Sequence, residues 1–274
     1  MHSIYHFFAH LVKNKHFFQT DTPLSDFPFK KEMLSCQNNG IFPDLSIRVN
    51  RSNPLFTGGE LIELKDSKSY TVSSFNSTIP SGTKEISKII KGTNSIVRKQ
   101  MEAVGDDIEK LRVRDVFYLI RGRKSNNIKV VLIHGNFFET VTSSKLISQS
   151  FEQVLKERMQ EKGVNIESEV QDLLVDLFSM QENFSKVRNV DKASVKLRFR
   201  IMTEVKAEGN ILNSKKYPDI KDNTINLIVP CHTEQDKELA IKRLASVNML
   251  DKLILFKIKH HLNGYFLVFQ QNFN

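Results

Sequence analysis

Two acids and a lysine stand at the ends of two short apolar runs, and these three side chains could together hold a divalent metal ion. Asp44 opens the run 45–49, whereas Glu63 and Lys65 close the run 60–65. Mg²⁺ prefers hard oxygen ligands and commonly takes one or two carboxylates, with water and substrate phosphate oxygens in the other positions. The residue types therefore suit metal-assisted chemistry on a phosphate group.

These side chains converge only if the two runs pair as an antiparallel hairpin. The intervening residues 50–59 are rich in turn formers, and the pairing centre falls near Asn53-Pro54. That register places the start of the first strand beside the end of the second. Side chains alternate along a strand, so Glu63 and Lys65 share one face. The sequence predicts that both lie beside Asp44 at one edge of a sheet.

The chemistry of phosphodiester hydrolysis explains each residue type. Asp44 and Glu63 would supply carboxylates to Mg²⁺, and the backbone carbonyl of Leu64 is a further oxygen ligand. The bound metal would polarise the phosphate and lower the pKa of its water. Lys65 would lie beside the nucleophilic water as preorganised electrostatic support of the transition state.

The pattern Pro43-Asp44 followed by Glu63-Leu64-Lys65 resembles the Pro-Asp…(Asp/Glu)-x-Lys signature of the nuclease superfamily that includes type II restriction endonucleases. The resemblance is confined to this segment of the 274-residue chain. It implies an α/β fold of the restriction-endonuclease kind, with a central mixed sheet flanked by helices. It also implies that Asp44 and Glu63 bind Mg²⁺ and that Lys65 lies beside the attacking water.

The activity implied by this resemblance is that of a Mg²⁺-dependent, site-specific endonuclease acting on double-stranded DNA. Family analogy also implies a twofold homodimer, because a symmetric protein reads a palindrome and places one centre on each strand. Some members add an acid on a preceding helix, for which Glu32 is the nearest candidate. Two alternatives stay open: a repair or junction-resolving nuclease with the same site, and a non-catalytic DNA-binding protein in which the three side chains form a surface ion-pair cluster.

The sequence contains a second, imperfect copy of the pattern. Glu204-Val205-Lys206 ends a strand-like run, and Pro218-Asp219 occurs downstream of it. The order is reversed, because the acid-x-lysine triplet precedes the proline and acid. We therefore place the catalytic centre in the first set.

Composition favours a polyanionic partner, although an AT-rich genome alone could produce much of the lysine content. The formal net charge is +9 and the pI is near 9.4. Cys36 and Cys231 lie far apart, which suggests neither a disulfide framework nor a zinc site. No apolar run is long enough to span a membrane, and no phosphate-cradling glycine loop indicates a nucleotide cofactor. We expect a prokaryotic cytoplasmic protein.

Three basic or hydroxyl-rich segments are candidates for contact with DNA, and each could equally be an ordinary solvated surface. Hydroxyls, amides and ammonium groups fix a protein on the phosphodiester backbone, and arginines on a hairpin can reach guanine edges. The candidates are the loop after the lysine (Lys68, Ser69, Tyr70), a hairpin tip (Arg121, Arg123, Lys124) and a strand face (Lys196, Arg198, Arg200).

Hydrophobic periodicity predicts a chain of mixed helices and strands, with a β-rich part over 186–274. By the resemblance, 1–185 would be the nuclease core that carries the catalytic hairpin. The part over 186–274 would recognise DNA, dimerise or extend the sheet, and the whole could be one continuous domain. Helices are predicted for the amphipathic N-terminus, 84–104, 143–162, 165–184 and 234–246. Strands are predicted for 113–120, 128–134, 195–205, 225–229, 253–258 and 265–269.

Overall fold

A computed structural model describes most of the chain as two compact units. The described residues are 3–49, 58–72, 75–76, 80–90, 95–139, 143–179, 183–190, 193–198, 202–203 and 207–273. The first unit comprises Met1–Ser74, Pro80–Glu139 and Glu204–Asn274, and the second comprises Phe75–Ile79 and Thr140–Thr203.

The described residues form six α-helices and thirteen strands. The helices are α1 (Ser3–Lys13), α2 (Ile86–Ile89), α3 (Ile96–Ala103), α4 (Ser143–Lys162), α5 (Ser168–Ser179) and α6 (Glu234–Ala245). The strands are β1 (Leu34–Gln37), β2 (Leu45–Ile47), β3 (Leu61–Ser67), β4 (Phe75–Asn76), β5 (Thr83–Glu85), β6 (Val113–Lys124), β7 (Asn127–His134), β8 (Asn183–Val190), β9 (Ala193–Arg198), β10 (Met202–Thr203), β11 (Thr224–Pro230), β12 (Ile254–His260) and β13 (Gly264–Asn272).

Nine of these strands make one mixed sheet in the first unit. The order across the sheet is β1-β2-β3-β6-β7-β11-β13-β12, and β5 pairs with β6. The β3–β6 and β7–β11 pairs are parallel, and the other pairs are antiparallel. The predicted α/β class with a central mixed sheet flanked by helices is confirmed.

A row of apolar side chains crosses the middle of this sheet and anchors the core. Leu119, Leu132, Leu227 and Phe269 lie side by side on four neighbouring strands and are fully buried. Apolar side chains of α1 and α6 pack on the same face. Each such side chain contributes roughly 1.5–3 kcal/mol to folding. This face therefore holds the main core.

The predicted amphipathic helix at the N-terminus is confirmed as α1, and its first turn is tied to the beginning of β3. The buried carboxylate of Glu60 accepts a hydrogen bond from the Ser3 hydroxyl and another from the Ile4 N–H at 3.3 Å. A carboxylate at a helix N-terminus satisfies free N–H groups and complements the helix dipole. These hydrogen bonds attach the residue directly before β3, the strand expected to carry Glu63, to helix α1.

The predicted helix over 84–104 is wrong at its beginning. Residues 83–85 pair with the start of β6 as strand β5, α2 follows, and α3 begins only after Ser95. The Ser95 hydroxyl caps α3 by accepting from the Arg98 N–H. The apolar spacing was compatible with one helix, but the residues predicted to form its first turn pair with β6 as a strand instead.

The second unit contains a helical hairpin and two small antiparallel pairs. Helix α4 ends at Lys162, and Gly163 follows it with φ +63, as predicted. Helix α5 ends at Ser179 rather than near 184, because Asn183–Val190 pairs with β9. The strand predicted over 195–205 is shorter, since β9 ends at Arg198 and 199–201 and 204–206 lie outside the described residues.

The C-terminal strands extend the main sheet, which is one of the roles predicted for this part of the chain. Strand β11 runs parallel to β7 and antiparallel to β13, and β12 forms the sheet edge. Compact packing therefore joins 207–273 to the first unit, and the two units do not divide at the predicted position 185. Within the described part of the chain, no helix has the length and apolarity needed to cross a bilayer.

Candidate active site

The hairpin on which the predicted site depends is present. Strands β2 and β3 pair antiparallel with Leu45 opposite Ile62, so the pairing centre coincides with the predicted one. Residues 50–57, which contain the predicted turn, lie outside the described residues. Leu45 and Ile62 are fully buried on the core face. Continuing the register by one residue places Asp44 opposite Glu63 on the other face, as the alternation of side chains requires.

Two hydrogen bonds bring the three predicted catalytic side chains together. Asp44 Oδ2 accepts from the Leu64 backbone N–H at 2.7 Å. Lys65 Nζ donates to Glu63 Oε1 at 3.2 Å, and these two side chains are only 16% and 14% exposed. Asp44, Glu63 and Lys65 therefore form one recessed cluster, as the sequence predicts.

The backbone of Leu64 faces Asp44 as well. In an antiparallel pair the N–H and C=O of one residue point to the same strand edge. Since the Leu64 N–H reaches Asp44 Oδ2, the Leu64 carbonyl points to the same edge. The Leu64 side chain packs against the core on the far face of the sheet. The three oxygen donors predicted as metal ligands thus lie at one edge of β3.

Electrostatics distinguish this cluster from an ordinary ion pair. Burial raises the pKa of Asp44, against the opposing effects of the Leu64 N–H and the Lys65 charge. Burial also raises the pKa of Glu63, and the negative charge of Asp44 raises it further, while Lys65 and Lys84 lower it. Both carboxylates are therefore desolvated and repel each other. A divalent cation between them would relieve both costs.

Two residues that the sequence did not indicate also belong to this site. Lys84 on β5 acts on the Glu63 charge, and its Nζ lies 5.0 Å from the ring centre of Phe42. Tyr118 lies beside Glu63 on the neighbouring strand β6 and is fully buried. Burial, and then the charge of Glu63, raise the Tyr118 pKa. Neither residue carries a local motif, and Lys84 fell in the wrongly predicted helix.

The donor set suits Mg²⁺ better than a metal that needs an all-protein cage. Among the described residues, no group of three or more His, Cys, Asp or Glu side chains could hold a metal ion. Two carboxylates with one carbonyl form a smaller set, which leaves room for the waters that Mg²⁺ keeps. Glu32 is exposed in a short turn before β1, and its charge is not among the causes of the Asp44 or Glu63 pKa shifts.

The first predicted DNA-binding segment follows β3 directly. Lys68 and Ser69 are exposed, and the Ser69 N–H is held by the Ser67 hydroxyl at 3.2 Å. Tyr70 is half-buried: Lys129 Nζ lies 4.9 Å from its ring centre, and Asn210 Nδ2 donates to its carbonyl at 2.9 Å. Lys68 and Ser69 are available to a ligand, whereas Tyr70 fastens the segment to the protein.

The second predicted segment is wrong for Arg121, which does not lie at a hairpin tip. Strand β6 continues to Lys124, so only the turn beyond it is a tip. Arg121 is fully buried and donates to Asp66 at 3.0 Å. Arg123 is mostly buried and pairs with Asp21 at 2.8 Å. Lys124 alone of the three is exposed.

The third predicted segment and the second copy of the motif are only partly described. Lys196 and Arg198 lie on β9 in the second unit, while Arg200 lies outside the described residues. The triplet 204–206 is also outside them. Asp219 is exposed, and its backbone carbonyl accepts from Gln270 Nε2 at 3.1 Å.

Comparison with protein-family models, curated proteins and solved structures finds no match for this chain. A fold class alone does not define an activity, because similar sheets carry many unrelated sites. The chemistry of the chain's own residues must therefore carry any functional conclusion.

Proposed function

We propose that this protein is a Mg²⁺-dependent endonuclease that hydrolyses phosphodiester bonds of double-stranded DNA at a specific short sequence, as type II restriction enzymes do. The observation that carries the proposal is the meeting of the Asp44 and Glu63 carboxylates at the strand edge where the Leu64 backbone is bound, with Lys65 Nζ 3.2 Å from Glu63. Acids held together despite burial and mutual repulsion are characteristic of functional sites.

In this proposal Asp44, Glu63 and the Leu64 carbonyl hold the metal. A Mg²⁺ ion held there would supply polarisation of the phosphate and a lower pKa for its bound water. Lys65, fixed by its hydrogen bond to Glu63, orients the attacking water through its ammonium group and stabilises negative charge on the phosphate oxygens. The water oxygen bonds to phosphorus as the P–O bond on the opposite side breaks, the attacking water loses a proton to solvent, and the departing oxygen takes one from solvent, which leaves a phosphate monoester and a hydroxyl. The recessed position of the pair strengthens these interactions, because screening by bulk water is weaker there.

DNA is the proposed substrate because the chain carries a net charge of +9 and phosphate contacts supply much of the affinity of DNA-binding proteins. Cutting both strands at a palindrome would require a twofold homodimer with one centre per strand. Cys36 and Cys231 are both free and buried, which is compatible with the reducing cytoplasm of a prokaryotic cell.

Digestion of plasmid and phage DNA with purified protein tests the proposal directly. With Mg²⁺ we expect discrete bands, and with EDTA we expect none. Cutting confined to branched substrates would instead indicate a junction-resolving or repair nuclease. A salt-sensitive gel shift without cleavage would indicate a DNA-binding protein in which the three side chains are a surface ion-pair cluster.

A matched pair of lysine variants distinguishes cleavage by the proposed site from cleavage by a contaminating nuclease. Lys65→Met removes the recessed ammonium, whereas Lys88→Met removes an exposed one on α2 that lies 3.7 Å from Glu85. We expect cleavage to be lost in the first variant and kept in the second. Normal cutting by Lys65→Met would contradict the proposal.

A further inference from the structure

We infer that Lys84 is a second cationic residue of this site and that it positions the substrate by contacting a DNA phosphate, whereas Lys65 serves the attacking water. The inference rests on the proposed nuclease function for the identity of the substrate. It assigns a role to a residue on β5, a strand that lies outside the segment carrying the sequence motif.

The first step of the argument is that β5 directs Lys84 toward the site. Thr83 and Glu85 are exposed and Lys84 is partly buried, as expected when alternate side chains face opposite sides of a strand. Lys84 Nζ lies 5.0 Å from the ring centre of Phe42, two residues before Asp44. The ammonium group is therefore held beside the segment that enters the metal-binding edge.

The second step is that the support under Lys84 is rigid. Lys84 is paired with Arg114 on β6, and Arg114 is fully buried. The Arg114 guanidinium forms a buried ion pair with Asp106 at 3.2 Å and donates to the Ser46 hydroxyl at 3.4 Å. Because Ser46 lies on β2, the same side chain links the support of Lys84 to the strand that follows Asp44.

The third step is the charge balance of the site. Lys84 lies opposite Arg114 and Glu63 lies opposite Tyr118, and Arg114 and Tyr118 point to the same side of β6, so Lys84 and Glu63 share one face of the sheet. The two ligand carboxylates proposed here and the two ammonium groups balance one another before metal binding, and a divalent cation adds two positive charges to this set. That excess matches a phosphodiester, whose negative charge increases in the transition state. Lys84 and Lys65 are both only partly buried, and Lys84 Nζ lies 5.0 Å from the centre of the Phe42 ring.

DNA binding measured across a salt series provides the test. Fluorescence anisotropy with a labelled DNA duplex in Ca²⁺ reports binding separately from Mg²⁺-dependent cleavage. Each phosphate contact contributes about 0.9 to the slope of log K against log salt. We expect Lys84→Gln to reduce the slope by about this amount and Lys84→Arg to restore it. Lys88→Gln on the neighbouring helix should match the wild type.

Cleavage kinetics in Mg²⁺ give a second readout that a purely structural role would not produce. We expect Lys84→Gln mainly to raise KM and Lys65→Gln mainly to lower kcat. If wild-type protein cuts DNA and Lys84→Gln retains its salt slope and KM, the inference is wrong while the nuclease proposal stands. If wild-type protein binds DNA without cutting and Lys84→Gln still reduces the slope, the nuclease proposal fails and the phosphate contact stands.

Discussion

Strand β3 carries two acid–base pairs on opposite faces, and their surroundings differ in an instructive way. On one face Glu63 bonds to Lys65 next to a second acid, Asp44. On the other face Asp66 bonds to Arg121. Arg121 is fully buried, Glu63 and Lys65 are largely buried, and the Asp66 side chain is 27% exposed, so burial of charge by itself does not explain how the two pairs differ.

What separates the pairs is how completely each charge is satisfied. Arg121 donates to Asp66, to the Thr20 carbonyl at 3.2 Å and to the Thr22 carbonyl at 2.7 Å, and Asp66 also accepts from the Leu24 N–H. Such a network joins the N-terminal segment to the sheet and needs no further ligand. The opposite face gathers two acids whose pKa values are raised by burial, and the charge of Asp44 raises that of Glu63 further.

The largest expected effect comes from removing one of the paired acids. Asp44→Asn keeps the shape of the side chain but removes the charge that would bind the metal. Loss of metal-assisted charge stabilisation is worth several kcal/mol, so we expect cleavage to fall about 10³-fold. Asp21→Asn, at a fully exposed acid beside Arg123, is the matched control and should cut normally. An equal loss of cleavage in both variants would show that the recessed Asp44 is no more important than the exposed Asp21.

The other face should respond in stability rather than in chemistry. Arg121→Leu leaves Asp66 without its main partner, and breaking a buried pair costs roughly 3–5 kcal/mol. Asp66 is 27% exposed, so we expect a loss near the lower limit, about 3 kcal/mol. Urea denaturation measures it, with the exposed Lys124→Leu as control. Unchanged stability with lost DNA binding would instead restore a DNA-binding role for Arg121.

A smaller effect follows from the raised pKa of Glu63. Because burial and the Asp44 charge raise the pKa of Glu63 above its ordinary value, this carboxyl stays protonated to a higher pH in the folded state than in the unfolded state. Ionisation of Glu63 therefore lowers the stability of the fold as the pH rises from the unfolded-state pKa to the folded-state pKa. The full cost remains at every higher pH. We expect Glu63→Gln to unfold at higher temperature than wild type at pH 8 and to match it near pH 4. Lower stability of the variant at pH 8 would contradict the assigned repulsion.

The smallest expected effect concerns the exposed loop after β3. Lys68 is exposed, and in the proposed complex it contacts one phosphate. Lys68→Gln should reduce the salt slope of DNA binding by about 0.9 and leave kcat unchanged. Anisotropy titrations with Lys31→Gln as control test this. A fall in kcat without a change in slope would place Lys68 in the chemistry instead.

The local part of the site could be predicted because it depends on strand periodicity. Alternation along β3 and turn-forming residues before it were sufficient to place Glu63 and Lys65 on one face and to pair them with Asp44. Both features are encoded within a short segment of the chain.

The remainder depends on contacts between distant segments. Apolar spacing after Lys84 is compatible with a helix, and only pairing with β6 makes its first residues a strand. Arg121 appears in a run of basic residues typical of an exposed turn, but Asp66 and the carbonyls of the N-terminal segment draw it into the interior. Periodicity cannot show which distant partner a charged side chain will find.

Two glycines that precede β3 determine where that strand begins. Gly58 has φ +68, and a Cβ there would lie 2.0 Å from the carbonyl oxygen of Arg48, so a larger residue does not fit. Gly59 has φ +92. Sliding the strand by one position would turn Glu63 toward the core and Ile62 toward the face that now carries Lys65. A genetic screen of single-codon insertions and deletions should therefore find the interval from Gly59 to Glu63 unusually intolerant, even where the inserted residue is itself harmless.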